Sequence, residues 1–165
     1  MNKILKRLDS VHEKLMTTVA PIDADRFNRR PAENEWSIGE ILHHLYLVED
    51  RVIKELEKAL ASGPQKAGWR SRIIPASIVA SRLVKVKAPK AVVPNNAPEK
   101  GRAITNFEGA RQRLKELCAK EGKQRLRQIA IKHPIFGKID GTAAVSFVSY
   151  HELRHFKQIQ EVLRH

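Results

Sequence analysis

Residues 36–45 read Trp-Ser-Ile-Gly-Glu-Ile-Leu-His-His-Leu, and they mark the start of a long helix. Ser37 and Glu40 have the spacing of a capping box, in which each side chain accepts a hydrogen bond from the other residue's backbone N–H. Trp36 and Ile41 stand at the two positions of a hydrophobic staple, which fixes the direction of the chain as it enters a helix. Apolar residues then recur with the helical period. The stretch therefore predicts an amphipathic helix with one buried face.

Three other stretches show the same period. The four predicted helices run over about residues 3–20, 37–61, 99–121 and 142–163. We expect Gly122 to end or kink the third helix. No segment alternates convincingly between apolar and polar residues, so no strand is predicted, and residues 133–137 are expected to form a loop. Four amphipathic helices predict an all-α four-helix bundle.

The second and third predicted helices are separated by a long connection. Residues 85–98 contain three prolines, which predict an extended, polyproline-like segment. Before it, residues 69–83 are basic and amphipathic, but Pro75 limits them to a short or broken helix. The connection is long enough to cross the length of a bundle.

Size and composition narrow the class of protein. The chain has 165 residues and a mass of 18.8 kDa, which predicts a single domain over residues 1–165. Its only cysteine, Cys118, excludes an intramolecular disulfide. No apolar run approaches the roughly 18 residues of a membrane span, and the charged N-terminus offers no signal-peptide core. We expect a cytoplasmic protein with no membrane partner.

The charge is uneven along the chain. The net charge is +13, and the excess lies in residues 62–102 and 111–138, which carry +8 and +7. Such stretches attract anions, although a solvated surface explains them equally well. They lack interleaved aromatic residues, and no helix-turn-helix or zinc-finger spacing is present. We therefore rank a small, anionic molecule ahead of nucleic acid as the partner.

The segment His151-Glu152-Leu153-Arg154-His155 carries the sharpest chemical signal. Its histidines stand at i and i+4, roughly 40° apart on a helix, so both can bind one metal ion. Both fall on the apolar stripe of the fourth helix, and buried imidazoles need partners. A hydrogen-bonded histidine pair is the alternative. The segment also matches the zincin motif, with Glu152 as general base, but this chain shows no strand and no downstream third ligand of the zincin kind.

A third ligand must come from another helix. His44 lies at the edge of the apolar stripe of the second helix, whereas His43 points almost directly away from it. We therefore predict that His44 faces the bundle and His43 faces water. His12, near the stripe of the first helix, is an alternative ligand, and His133 is expected to make a local structural contact. Three histidines would leave a tetrahedral metal with one open position, as in catalytic sites.

Two carboxylates and the cysteine complete the candidates. Glu49 lies within the apolar stripe of the second helix, and Glu152 borders that of the fourth. Each could orient a ligand histidine or accept a proton during catalysis, or could instead form an internal ion pair, for example with Arg154. Cys118 lies on the stripe of the third helix and is expected to be a small buried apolar residue.

The chain resembles the DinB/YfiT-like superfamily. The resemblance rests on residues 36–45, on His133-Pro134-Ile135-Phe136-Gly137 and on residues 150–159, in matching order and spacing. It implies a four-helix bundle with a long link between the second and third helices. It also implies a divalent metal held by one histidine of the second helix and two of the fourth, here His44, His151 and His155.

Some members of that family are S-transferases that use bacillithiol or mycothiol. The resemblance therefore implies a metal-dependent enzyme that activates a thiol cofactor or water. Thiol-dependent S-transfer is the leading reaction; metal-dependent hydrolysis and a non-catalytic, anion-binding module are the alternatives. Zinc and nickel lead among the metals, with manganese and iron behind them, since all accept imidazole. The substrate is expected to be a small molecule, and a homodimer is compatible with the sequence.

Overall fold

The computed structural model of the chain describes residues 1–68, 79–81, 89–94, 98–134 and 136–164. The helices are α1 (Asn2–Val19), α2 (Ala24–Asn28), α3 (Ile38–Ser62), α4 (Lys100–Arg127) and α5 (Gly141–Val162). The strands are β1 (Ala130–His133) and β2 (Gly137–Asp140). The four long helices form the predicted four-helix bundle, in which α3 packs along both α4 and α5, and α1 packs along α5. None of the described helices is long and apolar enough to cross a membrane.

The two helices that carry the candidate metal ligands, α3 and α5, each begin at a capping side chain. The Ser37 hydroxyl accepts a hydrogen bond from the Glu40 N–H at 3.1 Å, and Glu40 accepts one from the Ser37 N–H at 2.9 Å, which confirms the capping box of α3. Asp140 caps α5 by accepting a hydrogen bond from the Ala143 N–H at 2.9 Å. Both helices that carry candidate metal ligands therefore have defined starting points.

The structure corrects the sequence prediction at one end of the bundle. Gly122 has φ 69°, outside the helical region, and the chain resumes helical geometry until Arg127, so the glycine kinks α4 rather than ending it. An antiparallel hairpin then stands where a loop was predicted. Its strands have four residues each, too few for alternation to stand out in the sequence. In the hairpin, Ile131 and Ile139 pair on the buried side.

The long connection is only partly described. The predicted helix over residues 69–83 lies outside the described residues except for positions 79–81, where Lys157 donates a hydrogen bond to the Ala80 carbonyl at 3.4 Å. Residues 89–94 are described, and they include a 3-10 turn, Lys90–Val92, where an extended, polyproline-like segment was predicted. The turn buries Val92 against the bundle, and its backbone reaches the candidate site.

The core has two apolar halves separated by a polar layer. One half includes Leu8, Val52, Leu114 and Val148; the other includes Leu15, Leu45, Phe107 and Ile159. Each long helix contributes one residue between the halves: His12 on α1, Glu49 on α3, Arg111 on α4 and Glu152 on α5. This layer and the three candidate ligands contain most of the buried polar side chains of the middle of the bundle.

Candidate metal centre

Three histidines from two antiparallel helices converge on one point. His44 lies in the second turn of α3, and His151 and His155 lie one turn apart on α5. The Nε2 atom of His151 is 3.3 Å from Nε2 of His44 and 3.2 Å from Nε2 of His155. One ring nitrogen from each histidine lies within 4.8 Å of the others. The structure thus brings together the three residues that the sequence singled out.

Hydrogen bonds on the far side of two rings determine which nitrogen faces the centre. Nδ1 of His44 lies 2.7 Å from the Val92 carbonyl oxygen, which can only accept, so Nδ1 carries the proton. Nδ1 of His155 lies 2.8 Å from Oε1 of Gln158. A neutral imidazole has one protonated nitrogen, so both rings direct an Nε2 lone pair to the centre. This is the arrangement that metal-binding histidines need.

The surroundings keep the imidazoles neutral. His44 and His155 are 3% and 7% exposed, while His151 is partly exposed. Burial lowers the pKa of His44 below its usual 6.5, although the hydrogen bond to Val92 opposes the change. Burial, together with the neighbouring His155 and His44, lowers the pKa of His151 well below 6.5. Near neutral pH both rings are available as ligands without first losing a proton.

The spacing of the nitrogens fits a small divalent ion. Zinc–nitrogen bonds of about 2.0–2.1 Å with tetrahedral angles place neighbouring ligand atoms about 3.3 Å apart. Two of the three observed separations, 3.2 and 3.3 Å, match this value, and the third pair of ligand nitrogens lies within 4.8 Å. Without a cation, a single proton on His151 would have to satisfy two lone pairs. The donor set therefore fits a divalent metal with an open coordination position.

Aromatic rings form the walls of the cluster. The Trp36 ring centroid lies 4.9 Å from that of His44 and 6.4 Å from that of His155, and the Phe147 ring lies 5.2 Å from His151. The sequence had suggested only a staple role for Trp36. Trp36 directly precedes the N-cap of α3, and its ring lies beside His155 of α5. This contact between two helices could not be inferred from spacing within one helix.

The remaining histidines lie elsewhere. His43 is half-buried beside Tyr46, with ring centroids 6.2 Å apart, whereas His44 faces the bundle as predicted. His12 packs on Phe107 with centroids 5.0 Å apart, away from the cluster. His133 accepts a hydrogen bond from the Phe136 N–H at 3.3 Å, and burial lowers its pKa to about 4. Among the described residues, only His44, His151 and His155 form a group that could hold a metal.

Both predicted carboxylates bind Arg111 rather than a histidine of the cluster. The guanidinium donates to both oxygens of Glu49 at 2.8 and 2.9 Å and to Glu152 Oε2 at 2.9 Å. It also donates to the Leu8 carbonyl at 3.1 Å. The suggested partner, Arg154, instead donates to the Ser81 carbonyl. The sequence contained a signal for Arg111: it follows Ala110 directly and lies on the buried stripe of α4.

This second cluster has its own electrostatics. Burial raises the pKa of Glu49, while its hydrogen bonds to Arg111 oppose the rise. Burial disfavours the charge of Arg111, but the hydrogen bonds and charges of Glu49 and Glu152 outweigh it and raise the pKa of the guanidinium. The other Glu152 oxygen faces Nδ1 of His12 at 3.3 Å, and neither atom has a hydrogen-bond partner among the described residues.

Cys118 lies in the apolar core, as predicted. It is 2% exposed and packs within the half of the core that includes Leu114. Burial, with a smaller contribution from Glu49, raises the pKa of its thiol to about 11. The thiol is therefore protonated near neutral pH and is a poor nucleophile.

Comparison with known proteins identifies the family. The model of the DinB superfamily matches residues 7–159. The chain belongs to the DinB superfamily. An uncharacterized protein of Bacillus subtilis (strain 168), YuaE, is 25% identical over 139 residues, which are 84% of this chain and 83% of YuaE.

Two solved structures share the fold. TT2238, described as a four-helix bundle protein, is 21% identical with a TM-score of 0.65, and the match covers 97% of this chain and 98% of TT2238. YfiT from Bacillus subtilis is 14% identical with a TM-score of 0.68, over 99% of this chain and 85% of YfiT. YfiT is described as a probable metal-dependent hydrolase with an unusual four-helix bundle topology. At these identities the two likenesses show the fold alone.

Proposed function

We propose that this protein is a metal-dependent enzyme with His44, His151 and His155 as ligands of a divalent ion. One observation carries the proposal: three Nε2 atoms meet at separations of 3.2 and 3.3 Å between neighbours, with two rings held by acceptors at Nδ1. A divalent ion held there would lower the pKa of a thiol or a water molecule at its open position. Zinc and nickel are the first candidates, with manganese and iron behind them, because imidazole suits all four.

The chain's own residues hold the ligands in place. The Val92 carbonyl and Gln158 orient His44 and His155 through Nδ1. Trp36 packs beside the rings of His44 and His155, and Phe147 packs beside His151, which stays partly exposed. We assign Glu49 and Glu152 a positioning role through Arg111, because Glu152 follows His151 directly in α5 and its ion pair fixes that turn of the helix. Losing either carboxylate should cost rate more than metal affinity.

Thiol-dependent S-transfer is the leading reaction in this proposal. Cys118 is buried in the core with its thiol pKa raised to about 11, so the chain's only thiol is not the nucleophile. A low-molecular-weight thiol would therefore come from solution, together with a small electrophilic substrate. The family resemblance, which includes bacillithiol- and mycothiol-dependent transferases, supports this choice.

Hydrolysis is the second candidate. It is favoured by the structural neighbour YfiT, which is described as a probable metal-dependent hydrolase. The same three imidazoles would serve a water molecule as well as a thiol, because neutral ligands leave a divalent ion with its full charge.

Metal titration of protein purified without an affinity tag tests the site. His151→Ala or His155→Ala should abolish stoichiometric binding, and His44→Ala should weaken it strongly. His43→Ala is the matched control, because it removes the neighbouring ring on the same helix without touching the cluster. Equal losses for His43→Ala and His44→Ala would contradict the ligand set.

A reaction assay then separates the two chemistries. Metal-loaded protein is incubated with a small thiol and a model electrophile, and in parallel with a model ester. Thioether formation that disappears in His155→Ala and persists in Cys118→Ala supports S-transfer. Ester cleavage with the same dependence on His155 supports hydrolysis. Activity that survives His155→Ala but is lost in Cys118→Ala would exclude both.

A further inference from the structure

A run of uncompensated positive charge lies where α4 ends and the hairpin follows. Residues 123–138 contain five cations and no aspartate or glutamate. All five side chains are exposed: Lys123, Arg125, Arg127, Lys132 and Lys138. Among the described residues between them, the large apolar side chains Leu126, Ile129, Ile131 and Phe136 are buried in the core. The described part of the segment therefore exposes mainly charged and polar side chains.

The fold gathers these charges at one end of the bundle. The last turn of α4 packs tightly against the start of α5. A Cβ added to Gly141 would lie only 2.7 Å from the Leu126 carbonyl oxygen. Backbone hydrogen bonds of 2.8 Å join Gln65 to Gln128 and Gly68 to Lys138, and they bring exposed Lys66 to the same region. We call Lys66, Lys123, Arg125, Arg127, Lys132 and Lys138 the basic hairpin surface.

The hairpin places two of these charges directly opposite each other. Lys132 and Lys138 are cross-strand partners, and like charges in that position destabilise a sheet. Of the six cations of the basic hairpin surface, only Arg125 has an acidic partner among the described residues, with its Nε 3.9 Å from a carboxylate oxygen of Glu121. Lysine on an edge strand discourages pairing with other sheets, but this does not explain the cations that end α4.

We propose that the basic hairpin surface binds the phosphate backbone of duplex nucleic acid without reading its sequence. A duplex carries one charge per roughly 1.7 Å of its axis, a density that would relieve the repulsion between paired lysines. The only large apolar side chain exposed among the described residues is Val93, so the described part of the surface offers neither an aromatic platform for single strands nor an apolar anchor for a bilayer. The sequence-based preference for a small anion rested on the missing aromatics and on the missing helix-turn-helix and zinc-finger spacings, and backbone binding requires neither.

Fluorescence-anisotropy titration with two unrelated duplexes at several salt concentrations tests this proposal. Six phosphate contacts predict a slope of about −5 for log affinity against log salt, with equal affinity for both sequences. The double variant Lys132→Gln/Lys138→Gln should reduce the slope by about two and weaken binding roughly 60-fold near 0.1 M salt. The control, Lys3→Gln/Lys14→Gln, removes the same charge from exposed positions on α1 and should leave the slope unchanged.

Two further measurements make the result decisive. The thermal midpoint of the hairpin variant should be equal to or above that of the wild type, because a like-charge pair has been removed, and its metal binding should be unchanged. If the protein failed to bind duplexes but still bound metal, the proposed metal centre would therefore stand. Equal slopes for the two double variants, or no binding at the lowest salt, would overturn the proposal. Binding to vesicles containing phosphatidylserine but not to duplexes would likewise overturn it.

Discussion

Two buried polar clusters lie side by side in this bundle, and α3 and α5 contribute to both. The histidine cluster consists of His44, His151 and His155; the arginine cluster consists of Arg111, Glu49, Glu152 and His12. In the arginine cluster, a cation meets two carboxylates at hydrogen-bond distance. In the histidine cluster, three ring nitrogens of the same chemical kind face one another.

The two clusters differ in whether the chain alone can satisfy their polar groups. The charges of Arg111, Glu49 and Glu152 are supplied by the chain, so this cluster is largely satisfied by folding alone. His44 and His155 both direct a lone pair at Nε2 of His151, and the single N–H of a neutral His151 must be shared between them, whereas a cation would satisfy all three nitrogens. We therefore expect the arginine cluster to determine the stability of the metal-free protein, and the histidine cluster to determine its response to metal.

The largest expected effect comes from opening the arginine cluster. Arg111→Met would leave two carboxylates buried without their cation, and breaking a buried ion pair in this way costs about 3–5 kcal/mol. Urea unfolding of the metal-free protein measures the loss. His155→Ala, at a similarly buried position in the histidine cluster, is the comparison and should cost clearly less.

A second variant checks the cause. Arg111→Met/Glu49→Leu/Glu152→Leu removes all three charges together, and apolar replacements for a buried ionic group are often neutral or stabilising. Recovery of most of the stability lost in Arg111→Met would confirm that unpaired charge is the cause. A loss of unfolding free energy below about 1 kcal/mol for Arg111→Met would contradict this distinction between the clusters, since leaving two buried carboxylates without their cation should cost more.

The two clusters also differ in how far the sequence predicts them. His44, His151 and His155 could be selected because a single helix period decides which side chains share a face. The partners of Glu49 and Glu152 could not, because they depend on the rotation of α4 relative to α3 and α5. The sequence therefore left their role open, and Arg111 was missed although it stands on a buried stripe.

The same limit explains the other differences. The bundle and its helix starts follow from periodicity and from local signals such as Ser37 and Glu40. The hairpin has strands of only four residues, and the Val92 carbonyl reaches His44 from a segment 48 positions away. Neither feature has a local pattern. Contacts that join distant segments are fixed by packing, which one sequence does not display.

Metal binding should give the next largest effect. A ligand that binds only the native state stabilises it by about 2.7 kcal/mol at a free concentration 100 times its dissociation constant. Zinc should stabilise the wild type and His43→Ala by this amount, and should fail to stabilise His151→Ala. Urea unfolding with and without zinc provides the measurement. An undiminished zinc effect in His151→Ala would show that the histidine cluster is not the site.

Acid should lower the stability of the metal-free protein through its buried histidines. His133 is linked to His151 through the Phe147 ring, and burial lowers its pKa from the usual 6.5 of histidine to about 4. The unfolded chain therefore takes up the proton first, and stability falls as pH decreases from about 6.5 to about 4. The lowered pKa values of His44 and His151 act in the same direction. The raised pKa of Glu49 acts in the opposite direction, because the native state then takes up its proton first.

His133→Phe isolates one of these contributions. A pH of about 5 lies about 1.5 units below the usual histidine pKa of 6.5 and still above the lowered pKa of His133. His133 should therefore account for about 2 kcal/mol of the stability lost relative to neutral pH, since each pKa unit corresponds to about 1.4 kcal/mol. The comparison uses the change between pH 7.5 and pH 5 for each metal-free protein, so any constant effect of the substitution cancels. Identical pH dependence in both proteins would mean that His133 is protonated without cost.

The smallest expected effect concerns the acceptor behind His155. Gln158 lies 2.8 Å from Nδ1 of His155, and such partners fix the ring and its protonated nitrogen. Gln158→Ala should weaken zinc binding by about tenfold, at the lower end of the usual range for this kind of contact, with little change in metal-free stability. Gln158→Glu keeps an acceptor and adds a negative charge, which strengthens the ligand, so its affinity should equal or exceed that of the wild type. Gln160→Ala, at an exposed position on the same helix, is the control. If Gln158→Ala and Gln160→Ala bound zinc equally well, the orientation of His155 would have to come from packing against Trp36. Aromatic packing, and not the hydrogen bond to Gln158, would then hold this ligand in place.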